Sequence, residues 1–97
     1  MSGYFLKSPG SQLDYALDWS VADLKGDETV TADLGWTITP EGDAEDLRVV
    51  GRAVDPTRSI AMFEGGVPGR IYAVRARVET STARVLERSI VVRVGGI

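Results

Sequence analysis

The sequence predicts an all-β domain in which two antiparallel sheets pack as a sandwich. Three observations lead to this fold class. Apolar and polar residues alternate along several segments of the chain, which is the period of a strand with one buried face. Clusters of Gly, Pro, Asp and Ser separate these segments at short, fairly regular spacing, as turns do in sandwiches. No segment shows a convincing helical period.

The segment Gly65–Val94 carries the clearest pattern, that of a β-hairpin. Its two halves each alternate apolar with polar residues around a short polar turn. A five-residue turn, 80–84, lies within the usual range for hairpins and fixes the register. In this register Arg77 faces Glu87 on the solvent side, an opposite-charge pair that favours this pairing over its neighbours.

A glycine-rich turn precedes the first strand of this hairpin. It spans residues 65–69 and leads into Tyr72, whose ring lies in line with the apolar face. The arrangement resembles a corner of immunoglobulin and fibronectin type III-like sandwiches, in which a tyrosine hydroxyl bonds nearby backbone. We therefore expect an immunoglobulin/fibronectin type III-like antiparallel β-sandwich of six to seven strands, with Tyr72 as a structural residue.

Four further strands are predicted ahead of the hairpin. Each alternates apolar with polar residues or is rich in β-branched ones, and each is bounded by turn residues. The third has a blurred register, because two adjacent valines and a glycine interrupt its alternation. The four predicted strands span 13–19, 29–38, 47–54 and 59–64.

Both tryptophans fall on predicted apolar faces. Trp19 ends the first of these strands, and Trp36 shares a face of the second with Leu34 and Ile38. Large aromatic rings in such positions are typical of a sandwich core. We expect Trp19 and Trp36 to be structural residues. Exposure on a flat face would instead favour stacking on sugars.

The first twelve residues predict a flexible arm ahead of a sandwich domain spanning 13–97. The arm is poor in strand and helix signals, yet it contains Tyr4, Phe5 and Leu6 in succession. Two interpretations stay open for these three residues. They fold against the end of their own domain, or they anchor the chain on another subunit.

Composition excludes several classes of function. The 97 residues are enough for one domain with its own core. The chain contains neither Cys nor His, which removes the thiol nucleophile and the commonest general base and metal ligand. Its net charge of −3 does not favour nucleic acid. No apolar run is long enough to span a membrane, and no signal peptide is visible. We expect a soluble protein made in a cytoplasm.

The remaining candidates for chemistry are weak. The acidic loop 41–46 lacks the ligand spacing of a calcium loop. The glycine turn 65–69 precedes a strand, so it lacks the helix N-terminus of a phosphate-binding loop. Lys7 and Lys25, the two lysines, lie in apparent loops. We predict no catalytic, cofactor-binding or metal-binding residues.

A motif order along nearly the whole chain resembles the fiber-tail adaptor family of small tailed-bacteriophage proteins. Its most specific part reads L-D-Y-x-x-D-W, and one departure is Ala83, where similar sequences tend to place glycine. The motif comprises Lys7-x-Pro9, Leu13-Asp14-Tyr15-x-x-Asp18-Trp19-Ser20, Leu24, Gly26-Asp27, Trp36-Thr37, Gly65-Gly66-x-x-Gly69-x-x-Tyr72-x-Val74, Thr80 and Glu87-Arg88-Ser89-Ile90-x-Val92-x-Val94.

The resemblance implies a non-catalytic structural part of a phage or prophage particle, placed in the tail or at a tail-fiber or head-tail junction. Its implied partners are other virion proteins and further copies of itself, without nucleic acid or membrane. Its implied location is the host cytoplasm during assembly and then the virion. The alternative is a carbohydrate- or surface-binding module, because sandwiches host many functions.

Overall fold

The computed structural model describes residues 3–20 and 23–95 of the chain. Within these residues it contains seven β-strands and no helix, which confirms the all-β prediction. The strands are β1 (Gly3–Lys7), β2 (Leu13–Asp18), β3 (Val30–Thr39), β4 (Arg48–Val54), β5 (Arg58–Glu64), β6 (Ile71–Thr80) and β7 (Val85–Val94).

The strands form two sheets packed as a sandwich. One sheet has four strands in the order β1-β7-β6-β3, and the other has three in the order β2-β5-β4. All pairs are antiparallel except β1 with β7, which is parallel. Two adjoining apolar clusters fill the space between the sheets, one around Tyr72 and the other around Trp19.

Strand β1 is the main difference from the sequence-based prediction. These residues were expected in an arm outside the sandwich, because they lack an alternating pattern. In the structure β1 forms the edge of the four-stranded sheet beside β7. The ring of Phe5 packs edge-on against that of Tyr15 in the opposite sheet, with centroids 4.7 Å apart. Pairing and packing of this kind override weak local propensity.

The predicted hairpin register is confirmed. Glu79 lies opposite Val85, and Arg77 lies opposite Glu87, with 3.5 Å between Arg77 Nε and Glu87 Oε1. Within the turn, Ala83 has a φ of 63°. This left-handed conformation is costly for a residue with a side chain, which explains why glycine suits the position in similar sequences.

Strand β3 corrects one predicted face. Its pairing with β6 shifts twice, between Val30 and Ala32 and between Asp33 and Gly35. The Asp33 carboxylate accepts the Gly35 N–H at 2.7 Å, and Gly35 takes a φ of 126°. Because each shift inserts one residue, Leu34 leaves the core face on which it was predicted and is 45% exposed.

Candidate docking surface and the networks that position it

The hydroxyl of Tyr72 joins three parts of the chain beneath the glycine turn. It accepts the backbone N–H of Val67 at 2.9 Å, which is the expected bond to that turn. It also donates to Asp46 Oδ1 at 2.6 Å. Asp46 Oδ1 also accepts a hydrogen bond from Arg70 Nη1 at 2.7 Å. The loop before β4 is thereby tied to the start of β6.

Asp46 is therefore buried and hydrogen-bonded, although the sequence placed it in an acidic loop. It is 5% exposed, and its second oxygen accepts the Asp43 N–H at 2.9 Å. Hydrogen bonds from Tyr72, Asp43 and Arg70 stabilise the charged carboxylate and lower the pKa of Asp46. Burial, together with the bond to Asp46, raises the pKa of Tyr72.

The glycines of this turn are required by close approach. A Cβ on Gly66 would lie 2.4 Å from a methyl carbon of Val94. The backbone of Gly66 also has a φ of 108°, which residues with a side chain rarely adopt. A Cβ on Gly65 would lie 3.0 Å from the carbonyl oxygen of Asp46. A side chain at Gly66 would push the turn away from β7, and one at Gly65 would push it away from the loop before β4.

Lys7 ends β1 and is buried, whereas the sequence placed it in a loop. Its Nζ donates to the Gly65 carbonyl at 2.7 Å and to the Ser8 carbonyl at 2.9 Å. Burial lowers the pKa of Lys7, and the nearby Glu64 carboxylate opposes this shift. The ammonium group fastens the end of the edge strand to the glycine turn.

Glu28 makes a second buried network at the other end of the sandwich. It is 6% exposed and accepts from Thr80 Oγ1 at 2.5 Å, from Thr82 Oγ1, and from both Nε and Nη2 of Arg84. Arg84 also donates to the Asp23 carbonyl at 2.7 Å. The network joins the loop before β3 to the β6–β7 turn.

We predict that Glu28 makes the fold acid-sensitive. The bonds from Arg84, Thr80 and Thr82 hold the pKa of Glu28 far below its usual value of 4.5. A carboxyl group with a lowered folded-state pKa stabilises the fold above its unfolded pKa, and this contribution is lost as the pH falls. Glu28→Gln should therefore lower the unfolding midpoint at neutral pH and flatten its fall below about pH 4.5.

Urea unfolding at a series of pH values measures this effect. Glu87→Gln removes the same charge from an exposed site and controls for net charge. If Glu28→Gln and the wild type lose stability in parallel below pH 4.5, the prediction is wrong.

The outer face of the four-stranded sheet next to its β1 edge forms a candidate docking surface, which we call the β1 edge surface and define by Leu6 of β1, Arg93 of β7 and Ile71 of β6. Leu6 lies opposite Arg93, which in turn lies opposite Ile71. Leu6 is 69% exposed and Ile71 is 55% exposed. Of the three residues predicted to anchor a partner, Phe5 instead points inward, and the Tyr4 side chain lies outside what the structure describes.

The two tryptophans differ in their surroundings. Trp19 is fully buried, and its Nε1 donates to Ser59 Oγ at 2.9 Å. Trp36 is half-buried and lies edge-on to Phe63 with centroids 5.6 Å apart. Neither indole offers the flat exposed face that a sugar would stack on, so nothing supports the carbohydrate-binding alternative.

Residues 3–20 and 23–95 contain neither a cluster of acidic residues suited to a metal ion nor a helix that could span a membrane.

The chain matches a known protein family. A family model described as "Podophage GP4 fiber-tail adaptor protein gp77" matches residues 7–93. This range begins at the buried Lys7 and ends at Arg93 of the β1 edge surface. Among curated proteins, none matches the chain. The match confirms the resemblance that the sequence motifs indicate.

Proposed function

The chain belongs to the podophage GP4 fiber-tail adaptor family, and we propose that it joins a tail component to a fiber protein without catalysing a reaction. The observation that carries this proposal is the family match over residues 7–93, nearly the whole chain. The protein therefore has a structural role in the phage tail. We further propose that it folds in the host cytoplasm and remains in the virion.

The composition supports a role in binding alone. The chain has no His and no Cys, and the buried ionisable groups described above, Lys7, Glu28 and Asp46, are held in hydrogen bonds that join loops to strands. The hydrogen bonds of these three groups stabilise the fold, which gives the groups a structural role.

The β1 edge surface is the proposed site of attachment. An edge strand presents unpaired backbone N–H and C=O groups, to which an extended segment of a partner can add as a further strand. Leu6 lies on the edge strand itself, and Ile71 lies two strands in on the same face of the sheet, so both offer exposed apolar side chains beside the added strand. The hydrogen bond from the buried ammonium group of Lys7 to Gly65 holds β1 in place, so the edge strand is already ordered when a partner segment pairs with it.

We predict that Leu6→Asp abolishes attachment. The substitution puts a charge where an apolar contact is proposed, and it leaves the core intact because Leu6 points to solvent. The measurement is binding of the full chain to purified tail and fiber proteins of the same particle, by surface plasmon resonance. Leu34→Asp is the matched control, since Leu34 is also exposed but lies on β3.

Retained binding by Leu6→Asp would overturn the assignment of the β1 edge surface. Failure of the wild-type chain to bind any tail or fiber protein would overturn the adaptor role itself.

A further inference from the structure

The outer face of the three-stranded sheet is apolar along its central strand, with Asp14 as a charged residue on the neighbouring edge strand β2. The side chains at the middle of this face come from all three strands, and they line or border a shallow depression of about 280 Å³. Two rows of residues cross it in register. They are Ala16, Ile60 and Ala53 in one row, and Asp14, Met62 and Gly51 in the next.

Gly51, which follows the pairing shift in β4, leaves this depression open. Its backbone does not take a left-handed φ, and a Cβ there would meet Met62 Cβ at 3.8 Å, an ordinary contact. Alanine would therefore fit, although the pairing of β4 shifts between Val49 and Gly51. Glycine weakens a strand interior and commonly marks a bulge or a place where another backbone approaches closely, and here it leaves room for such an approach.

The outward residues of the central strand have a self-complementary order. Along β5 they are Arg58, Ile60, Met62 and Glu64, a base, two apolar residues and an acid. Consider a second copy stacked on this face and related to the first by a two-fold axis. The axis lies in the plane between the two faces, runs perpendicular to the strands and passes midway between Ile60 and Met62. Arg58 then lies over Glu64 of the second copy, and Ile60 lies over Met62.

The charges exclude the other face-to-face arrangement. A two-fold axis parallel to the strands would place Arg58 over Arg58 of the second copy, and Glu64 over Glu64. Like charges placed opposite each other across an interface are strongly unfavourable. The order of the β5 side chains therefore selects one orientation of the second copy.

Each charge at the ends of β5 already has an exposed partner in its own chain. Arg58 Nη2 lies 2.8 Å from Asp55 Oδ2, and Arg48 Nη2 lies 2.5 Å from Glu64 Oε1. Gln12 also donates to Glu64 at 2.9 Å. Stacking the two faces brings one ion pair over the other with opposite charges aligned, so each end of the contact becomes a four-charge network.

We propose that the outer face of the three-stranded sheet is an interface between two copies of this chain, in which β5 stacks antiparallel on β5 of the second copy. Ile60 and Met62 supply the apolar centre. The small residues Ala16, Ala53 and Gly51 around them let the two sheets approach. The interface is distinct from the β1 edge surface and goes beyond the adaptor role, which does not itself require paired copies.

The contact is small, so the pair should be weak in dilute solution. Three strands span only about 14 Å across the sheet, given about 4.8 Å between neighbours. A face this narrow buries an area at the low end of the range for specific protein interfaces. Association should appear at high protein concentration and increase where a particle holds copies close together.

Sedimentation equilibrium of the full chain over a range of concentrations tests the proposal. We expect a monomer–dimer equilibrium for the wild type. Met62→Gln should weaken association by at least about tenfold, because it removes part of the central apolar contact. Val85→Gln is the matched control, since it removes an exposed apolar side chain from the other sheet, and it should associate as the wild type does.

Charge reversal tests the orientation. Arg58→Glu alone and Glu64→Arg alone should each prevent self-association, because each places like charges across the contact. An equimolar mixture of the two variants should form a heterodimer, since every cross-contact at the ends of β5 is then between opposite charges. Circular dichroism checks that each variant is folded.

Three results would overturn the proposal. The first is a wild type that stays monomeric at all concentrations, and the second is equal association of the Met62→Gln and wild-type proteins. The third is a mixture of the two charge variants that stays monomeric. None of these bears on binding to tail and fiber proteins, so the adaptor role is judged separately.

Discussion

Replacing Trp19 with alanine should lower the free energy of unfolding by about 3–5 kcal/mol, the usual loss for a large aromatic side chain in a core. Trp19 is fully buried and packs with the second apolar cluster, which includes Leu17 and Val78. The substitution leaves a cavity and removes the bond from Trp19 Nε1 to Ser59 Oγ. Ser59 is itself fully buried, so its hydroxyl would lose that partner in a place that excludes water.

Urea unfolding followed by far-ultraviolet circular dichroism measures this loss. Trp36→Ala is the matched control: Trp36 is half-buried, and its indole N–H has no hydrogen-bond partner among the described residues. The control should lose clearly less stability than Trp19→Ala. Equal losses would show that the two side chains contribute alike, and would contradict the difference in burial.

Strands β6 and β7 could be predicted because each has one buried face. Alternation in β6 and β7 indicated both strands, and the Arg77–Glu87 pair indicated their register, which the structure confirms. A slip of one residue would turn every side chain of a strand to the opposite face. The pattern therefore fixes a pairing wherever one face is apolar.

The face of Leu34 could not be predicted from alternation. A bulge adds one residue to a strand without changing the composition of the sequence around it. Asp33 and Gly35 carry the local signal, because the Asp33 carboxylate caps the Gly35 N–H and glycine accepts the positive φ. Threonines and apolar residues on both sides give the appearance of an uninterrupted strand.

The buried polar networks lay beyond sequence reasoning because their partners are distant along the chain. Tyr72 and Asp46 are 26 positions apart, and Glu28 and Arg84 are 56 positions apart. Acidic residues in loops are usually solvated, so neither carboxylate stood out. One signal for Asp46 was available: a buried tyrosine hydroxyl needs a partner.

The three residues predicted to anchor a partner do not share one environment in the structure. Tyr4, Phe5 and Leu6 were treated as a unit, but a strand sends successive side chains to opposite sides. Phe5 consequently enters the space between the sheets, while Leu6 stays on the outer side. Recognising β1 as a strand would have separated the two roles, and its parallel pairing with β7 has no signal within the segment itself.

Replacing Tyr72 with phenylalanine should lower the free energy of unfolding by about 1–3 kcal/mol, because a buried hydrogen bond to a charged acceptor is lost. The ring stays in the core, so packing is kept. Two groups lose a partner: the Val67 N–H, and the Asp46 carboxylate, which is 5% exposed. Tyr15→Phe removes a hydroxyl from a half-buried ring and serves as the control.

The pH dependence of this loss identifies its cause. The pKa of Asp46 is lowered from 3.8, so its stabilising contribution is present above that pH and is lost as the pH falls. The pKa of Tyr72 is raised from 10.0, so its contribution is present below that pH and is lost as the pH rises. The difference in unfolding free energy between the wild type and Tyr72→Phe should therefore be largest between these two values and shrink on either side.

Urea unfolding at a series of pH values measures this difference. A difference that stays constant from acid to alkaline pH would show that the hydroxyl acts through packing and not through its bond to Asp46.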